Sequence, residues 1–332
     1  MTADGARGGG AVVVTGGAGY IGAPLCLRLA AAGRPVRALD SLLHGQSEVS
    51  DALERGGVEL IRGDVRDERT RERALSGAQA VVHLAAIVGD PACARDPALS
   101  AEVNVEGTRA LVRDAARLGV RRFVFASTCS NYGRMADPTT PIDETGVLAP
   151  VSLYAEQKVA MEKTLLEPGG AGLETTCLRF ATIYGVAPRM RFDLTVNEFT
   201  RDLWAGRRLE VFGEQFWRPY VHVRDAGRAV ATVLDAPPEV VAGQVFNVGR
   251  SGENYRKLDL VDEIRKLTSA GEVEFVHRDE DPRDYKVSFD KIRAALGFET
   301  EMTVPDGIAE VLEALEHDRF EDPFDGRYRN TP

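Results

Sequence analysis

Tyr154 and Lys158 stand four residues apart in the stretch VSLYAEQKVAMEKTLLE. Leu153, Val159, Met161 and Leu165 give that stretch helical spacing, so the phenol and the amine share one helix face. A phenol titrates near 10, and using it as a base near neutrality needs about 4 kcal/mol of extra stabilisation of the phenolate, which a neighbouring cation can partly supply. Taken alone, a Tyr-x-x-x-Lys also describes a surface tyrosine beside a solvated lysine. Its order in the chain sets this pair apart. Upstream, the apolar run FVFA ends in STCSNYG, residues 127–133, which offers hydroxyls, a thiol and an amide where a buried strand stops. Ser, Thr and Asn suit strand ends and turns for structural reasons, and a hydroxyl can also follow a reacting oxygen, because it both donates and accepts.

A second constellation lies at the start of the chain. VVVTGGAGYIGAPLCLRLAAAG runs from a strand through a glycine-rich turn into an amphipathic helix. Gly17-x-Gly19-x-x-Gly22, overlapped by Thr15-Gly16-x-x-Gly19-x-x-Gly22, has the spacing of a turn that lets backbone approach a pyrophosphate at a helix N-terminus. Asp40 ends the next strand, where a carboxylate bonds a ribose diol and repels a 2′-phosphate, so NAD is expected in preference to NADP. Asp64, in RGDVRD, closes the third strand and is a candidate adenine contact. Taken singly it reads equally as a solvated strand-end acid.

These residues need a scaffold that brings strand ends together. Short β-branched runs at residues 12–15, 36–39, 58–61, 80–84, 123–126 and 175–178 lack alternation and are separated by helical stretches. That pattern predicts a parallel sheet covered on both faces. Beyond Phe180 the rhythm breaks: FATIYGVAPRMRFDL reads as loop, residues 196–205 as helix and QVFNVG as a returning strand. Further helices are expected over 258–267, 288–296 and 304–316. The expected fold is α/β, a Rossmann-type doubly wound parallel sheet with a smaller, mostly helical C-terminal lobe. Residues 1–10 form a disordered lead-in and 11–180 the dinucleotide-binding domain, to which 218–250 return. Residues 181–217 and 251–332 form the substrate lobe, and the polar tail FEDPFDGRYRNTP lies over the surface.

Composition narrows the partners. Fifty-one acidic residues against 41 basic ones give a net charge of −10, which argues against nucleic acid or an anionic membrane as partner. No uncharged apolar run is long enough to span a bilayer. Cys26, Cys93, Cys129 and Cys177 are far apart and form no CxxC, so neither a metal site nor a disulfide framework is expected and a reducing cytoplasm is the simplest setting.

In order, TGGAGYIG, Asp40, GDV, HLAA, NVEGT, STCSNYG and Tyr154-x-x-x-Lys158 resemble the extended short-chain dehydrogenase/reductase family, specifically its NAD-dependent sugar-nucleotide epimerases and dehydratases. WRPYVHVRDAGRAV and DPRDYKVSFDKIRAALGF extend the resemblance over nearly the whole chain. It implies that Tyr154 takes a proton from a sugar hydroxyl while the hydride on the same carbon passes to NAD. Lys158 would orient the nicotinamide ribose and, with the positive nicotinamide ring, lower the phenol's pKa; Thr128 would hydrogen-bond the sugar oxygen. Cofactor positions carried over are Gly16, Gly19, Tyr20, Ile21, Gly22, Asp40, Asp64, Val65, Leu84, Ala85, Ala86, Asn104 and Phe180. His83 reads as a core or strand-end histidine.

The two residues after Thr128 subdivide the family. Its 4,6-dehydratases carry an Asp and a Glu there, whereas this chain has Cys129 and Ser130, and elimination of water then lacks its proton carriers. Decarboxylases that keep the Glu lose support for the same reason. Cys129 reads as a small packing residue. The resemblance therefore points first to 4-epimerisation, through transient oxidation to a 4-keto sugar and hydride return to the opposite face, with the cofactor retained. A 4-ketosugar reductase, a dehydratase with unusual proton carriers, an epimerase at another carbon and a non-catalytic NAD-binding sensor stand as alternatives. For a nucleotide-diphosphate sugar, Arg218 and Arg283 match phosphate-binding arginines, with Arg191 and Asn197 as further candidates. Thr182 stands where many epimerases place a diphosphate-binding Asn. The family's habit of pairing helices also implies a homodimer, the helix bearing Tyr154 being one candidate interface.

Overall fold

The computed structural model describes residues 9–135, 137, 140–167, 172–268, 271–277 and 283–330. The expected lead-in therefore lies, over residues 1–8, outside the described residues, as do Asp281 and Pro282 of the DPRDY stretch. Twelve strands are described. β1 (Ala11–Thr15), β2 (Val36–Asp40), β3 (Glu59–Arg62), β4 (Ala78–His83), β5 (Arg122–Thr128) and β6 (Glu174–Phe180) come first. They are followed by β7 (Thr182–Tyr184), β8 (Leu209–Phe212), β9 (Trp217–His222), β10 (Gln244–Val248), β11 (Asn254–Arg256) and β12 (Val273–Val276).

β1 to β6 and β10 form one sheet in the order β10-β6-β5-β4-β1-β2-β3, with every neighbouring pair parallel. Successive strand residues are buried on opposite faces, which is why the apolar runs do not alternate. Val12 and Val14 pack with Leu25, Leu29, Ala229 and Val233, while Val13 packs on the other side with Leu75, Leu111, Met161 and Leu165. The order reverses between β1 and β4, and in a doubly wound sheet the carboxyl ends on either side of that reversal open into a crevice. Thr15, Asp40, His83 and Thr128 all sit at such ends.

The region beyond β6 differs from the expectation in two ways. The stretch read as loop contains β7, and FWRPYVHV contains β9; β7 runs parallel to β9, which pairs antiparallel with β11 in a separate three-stranded sheet. β8 and β12 make a further parallel pair. The lobe keeps its expected helices, Thr195–Trp204, Lys257–Leu267, Asp290–Leu296 and Val304–Glu316, and adds these short strands between them. Its strands are three to six residues long and find partners far away in sequence, which leaves little local period to read. Tyr184 and Tyr220 join Val196, Leu203, Leu260 and Ile308 in the core of this second layer. Helix Val223–Asp235 packs against helix Gly22–Ala31, and β10 completes the main sheet.

Candidate active site

The crevice is a cleft of about 460 Å³ running from the Asp40 end to the Tyr154 end. Its floor is the glycine turn. Gly16 has φ +67°, and its carbonyl accepts from the Gly19 amide at 3.0 Å. A Cβ on Gly22 would lie 2.0 Å from that same carbonyl oxygen, and one on Gly17 would lie 2.6 Å from the Ala38 Cβ. The turn therefore tolerates no side chain where it meets its own helix and β2. Asp40 accepts from the Ala18 amide at 2.9 Å and the Leu42 amide at 2.8 Å, which leaves lone pairs on both oxygens for hydroxyl donors. This donor set, a bare glycine cradle with a carboxylate beyond it, fits a dinucleotide. Tyr20, Ile21, Val65, Leu84, Ala85, Ala86 and Phe180 line the cleft as expected. Asp64 also lines it, but its carboxylate is forked by Arg66 at 2.8–3.1 Å, which holds its pKa below the ordinary value.

At the other end, Thr128 begins a short 3-10 turn, Cys129–Tyr132, and its hydroxyl accepts from the Ser130 amide at 3.1 Å. The turn divides STCSNYG into two sets of residues. Ser127, Thr128 and Ser130 line the cleft. Cys129, Asn131 and Tyr132 are buried behind it. The Cys129 thiol donates to the Arg179 carbonyl at 3.2 Å, and burial pushes its pKa well up, so it acts as a packing group. Asn131 donates to Glu162 at 3.0 Å, and Tyr132 accepts from Arg179 at 3.0 Å. Arg179 in turn forks Glu162 across a buried ion pair. The Asn131 amide and Tyr132 thus brace the turn that presents the hydroxyls.

Tyr154 and Lys158 come from helix Leu153–Leu166, capped by the Ser152 hydroxyl, and both face the cleft. The Lys158 ammonium lies 5.7 Å from the Tyr154 ring centroid and 4.6 Å from that of Phe125, and it donates to the Ala126 carbonyl at 2.7 Å. In the protein alone burial pushes the Tyr154 phenol up, the nearby Cys93 and Asp90 add to that and the Arg191 guanidinium opposes it. Burial lowers the pKa of Lys158 from 10.5 to about 8, which leaves it mostly cationic at neutral pH, yet burial of the phenol outweighs the charges around it. An acidic phenol therefore requires positive charge beyond what the chain itself supplies.

That lowered ammonium gives a stability signature. Between pH 8 and 10.5 the unfolded chain binds a proton at Lys158 that the folded chain does not. Its contribution to stability is therefore complete above that window and is lost as pH falls through it. Lys158→Met is expected to compare best with the wild type below pH 8 and to lose about 2 kcal/mol of that relative advantage on going to about pH 10. Denaturant unfolding at the two pH values measures this, and a difference independent of pH contradicts it.

Three predicted site residues stand outside the lining. Asn104, in a π-helical turn, accepts from the Ile87 amide at 2.8 Å and donates to the Ile87 carbonyl at 3.0 Å, so it shapes the loop that lines the cleft. Asn197 is fully buried behind the wall, where it accepts from the Gly185 amide and donates to the Tyr20 hydroxyl and the Arg191 carbonyl. Arg218 is buried with its guanidinium 5.5 Å from the Tyr285 ring centroid, and Tyr285 is what faces the cleft. Arg283 and Arg191 do line it, the first paired with Asp90 at 3.0 Å, the second forked by Asp193. His83 is a core residue, 2.7 Å from the Thr15 hydroxyl and 2.8 Å from that of Thr108, and burial lowers its pKa to about 3. The sequence reading missed Arg189 and Asn330. Arg189 was visible beside Arg191 in APRMRFD, whereas Asn330 carried no local signal.

Residues 12–249 match the model of the NAD dependent epimerase/dehydratase family. The chain is 31% identical over 314 residues to UDP-glucose 4-epimerase of Rhizobium meliloti, covering 87% of this chain and 92% of that one. It is 30% identical over 315 residues to dTDP-glucose 4,6-dehydratase of Streptomyces niveus, covering 91% of each. The solved UDP-glucose 4-epimerase of Thermus thermophilus in complex with NAD superposes with a TM-score of 0.80 at 28% identity, over 92% of this chain and 99% of that one. With the glycine cradle, the Asp40 carboxylate and the Thr128, Tyr154 and Lys158 cluster opening into one cleft, the chain belongs to the NAD dependent epimerase/dehydratase family of extended short-chain dehydrogenases, and NAD is its cofactor.

Proposed function

We propose that this protein is a nucleotide-sugar 4-epimerase. The observation that carries the reading is the set of groups at the Tyr154 end of the cleft. Thr128, Ser130 and Tyr154 offer hydroxyls there, whereas the carboxylates among the described lining residues, Asp40 and Asp64, belong to the opposite end. Elimination of water across two carbons needs a second acid and base, and the thiol at position 129 is turned into the core. Moving one proton on and off one oxygen needs only Tyr154 with Thr128 to hold that oxygen. When bound, NAD supplies a hydride acceptor and donor and a positively charged ring beside the buried phenol. Lys158 orients and adds charge, and Arg283 and Arg191 offer guanidinium groups suited to phosphate oxygens. We take the enzyme to be a cytoplasmic homodimer. Four buried free thiols favour a reducing compartment, no helix among the described residues is long and apolar enough to cross a membrane, and sedimentation measures the assembly.

The test is a panel of nucleotide sugars incubated with the protein as purified, scored by NMR for the configuration at C4. Interconversion of C4 epimers without added cofactor supports the reading. A 4-keto-6-deoxy product, or stoichiometric consumption of reduced nicotinamide, replaces it with dehydration or reduction.

A further inference from the structure

Residues 320–330, read from sequence as a surface tail, run back along the loop of residues 189–193, and Asn330 reaches the cleft. Phe320 and Tyr328 stack edge to face with Phe192 at 5.1 and 5.7 Å, and Phe324 lies beneath the Arg201 guanidinium at 4.5 Å. Backbone bonds complete the attachment: the Phe192 amide donates to the Tyr328 carbonyl at 2.8 Å, Arg189 Nη2 to the Arg329 carbonyl at 3.3 Å, and the Asn330 amide to Asp193 at 3.1 Å. Asp193 also holds Arg191. The segment and the loop bearing Arg189 and Arg191 therefore form one unit against the opening.

Two polar atoms at this junction have no partner among the described residues. Arg189 is only 6% exposed, lines the cleft and leaves its Nε–H unbonded. Asn330 lines the same cleft with its Oδ1 buried and unbonded. A buried donor or acceptor left unmade is costly, so a donor and an acceptor left open in one cleft describe a ligand group that both donates and accepts. Their position along the cleft follows from charge. Arg189 is close enough to Asp40 and His44 to act on both; with burial as the larger cause, it holds His44 neutral, with a pKa of about 4. Other charged groups around it are Arg191 and Asp193. With Arg191 paired to Asp193, a carboxylate, an amide oxygen and the Arg189 guanidinium suit the hydroxyls of a ribose better than a further phosphate.

We propose that residues 320–330 are a strap over the adenosine half of the dinucleotide cleft, in which Asn330 and Arg189 bind the adenosine ribose hydroxyls and slow cofactor release. The proposal rests on the cofactor and not on the epimerase reading, so its test is binding. With cofactor stripped from the protein, Asn330→Ala and Arg189→Gln are each expected to weaken NAD and ADP-ribose about tenfold, mostly through faster dissociation. Nicotinamide mononucleotide should bind as in the wild type. The unliganded melting temperature of Asn330→Ala should be unchanged, because the amide oxygen has no partner to lose. Wild-type affinity of Asn330→Ala for ADP-ribose overturns the proposal. So does an equal loss for nicotinamide mononucleotide, which moves the contact to the other half, or a loss that accompanies a lowered melting temperature, which reduces the strap to a structural clamp.

Discussion

Tyr154→Phe is expected to lower nucleotide-sugar turnover about 10³-fold while leaving NAD affinity within about threefold of the wild type. The two effects separate because the ring and the hydroxyl do different work. Phenylalanine keeps the aromatic face that Lys158 approaches at 5.7 Å, and Lys158 keeps its bond to the Ala126 carbonyl, so the cofactor side of the cleft retains its shape. What disappears is the hydroxyl that the proposed mechanism uses to take a proton from a sugar hydroxyl and return it. Burial makes the phenol a poor base in the protein alone, and proton transfer is therefore tied to the loaded cleft. Single-turnover and steady-state rates, with NAD titrated calorimetrically, decide the matter. Turnover within tenfold of the wild type removes Tyr154 as the proton carrier and the proposed mechanism with it.

Gly22→Ala is expected to weaken NAD binding more than 100-fold, with a lower melting temperature. The added methyl would stand 2.0 Å from the Gly16 carbonyl oxygen and 2.8 Å from the Gly17 Cα, and both are backbone atoms of the turn itself. They cannot yield as a flexible side chain would, so the turn must open or helix Gly22–Ala31 must shift away from β1. That helix also carries the packing of Val223–Asp235 through Leu25 and Leu29, which is where the loss of stability arises. Gly252→Ala is the control, since a Cβ there meets nothing within 4 Å and the backbone is not left-handed. Retained NAD affinity in Gly22→Ala shows that the turn is not the phosphate cradle.

The residues that sequence identified well are those whose role depends on near neighbours. β1, the glycine turn and its helix are contiguous, and Asp40 closes the next strand. Tyr154 and Lys158 share a face by virtue of a four-residue offset alone. The six leading strands of the sheet were visible because parallel strands buried on both faces leave continuous apolar runs. The short strands of the lobe were not, because β7 acquires its partner, β9, only after more than thirty intervening residues.

The sequence by itself determined the family and the cofactor and put forward Thr128, Tyr154 and Lys158 as the proposed proton-handling trio, since each is written in residue types at fixed local spacing. Tertiary structure alone decided which hydroxyls of STCSNYG reach the cleft, that Asn104, Asn197 and Arg218 support its wall from behind, and that Asn330 joins Arg189 in lining it. It also decided the sign of the Tyr154 shift. Those outcomes depend on burial and on contacts between residues far apart in the chain, and burial is a property of the packed whole that no local pattern encodes.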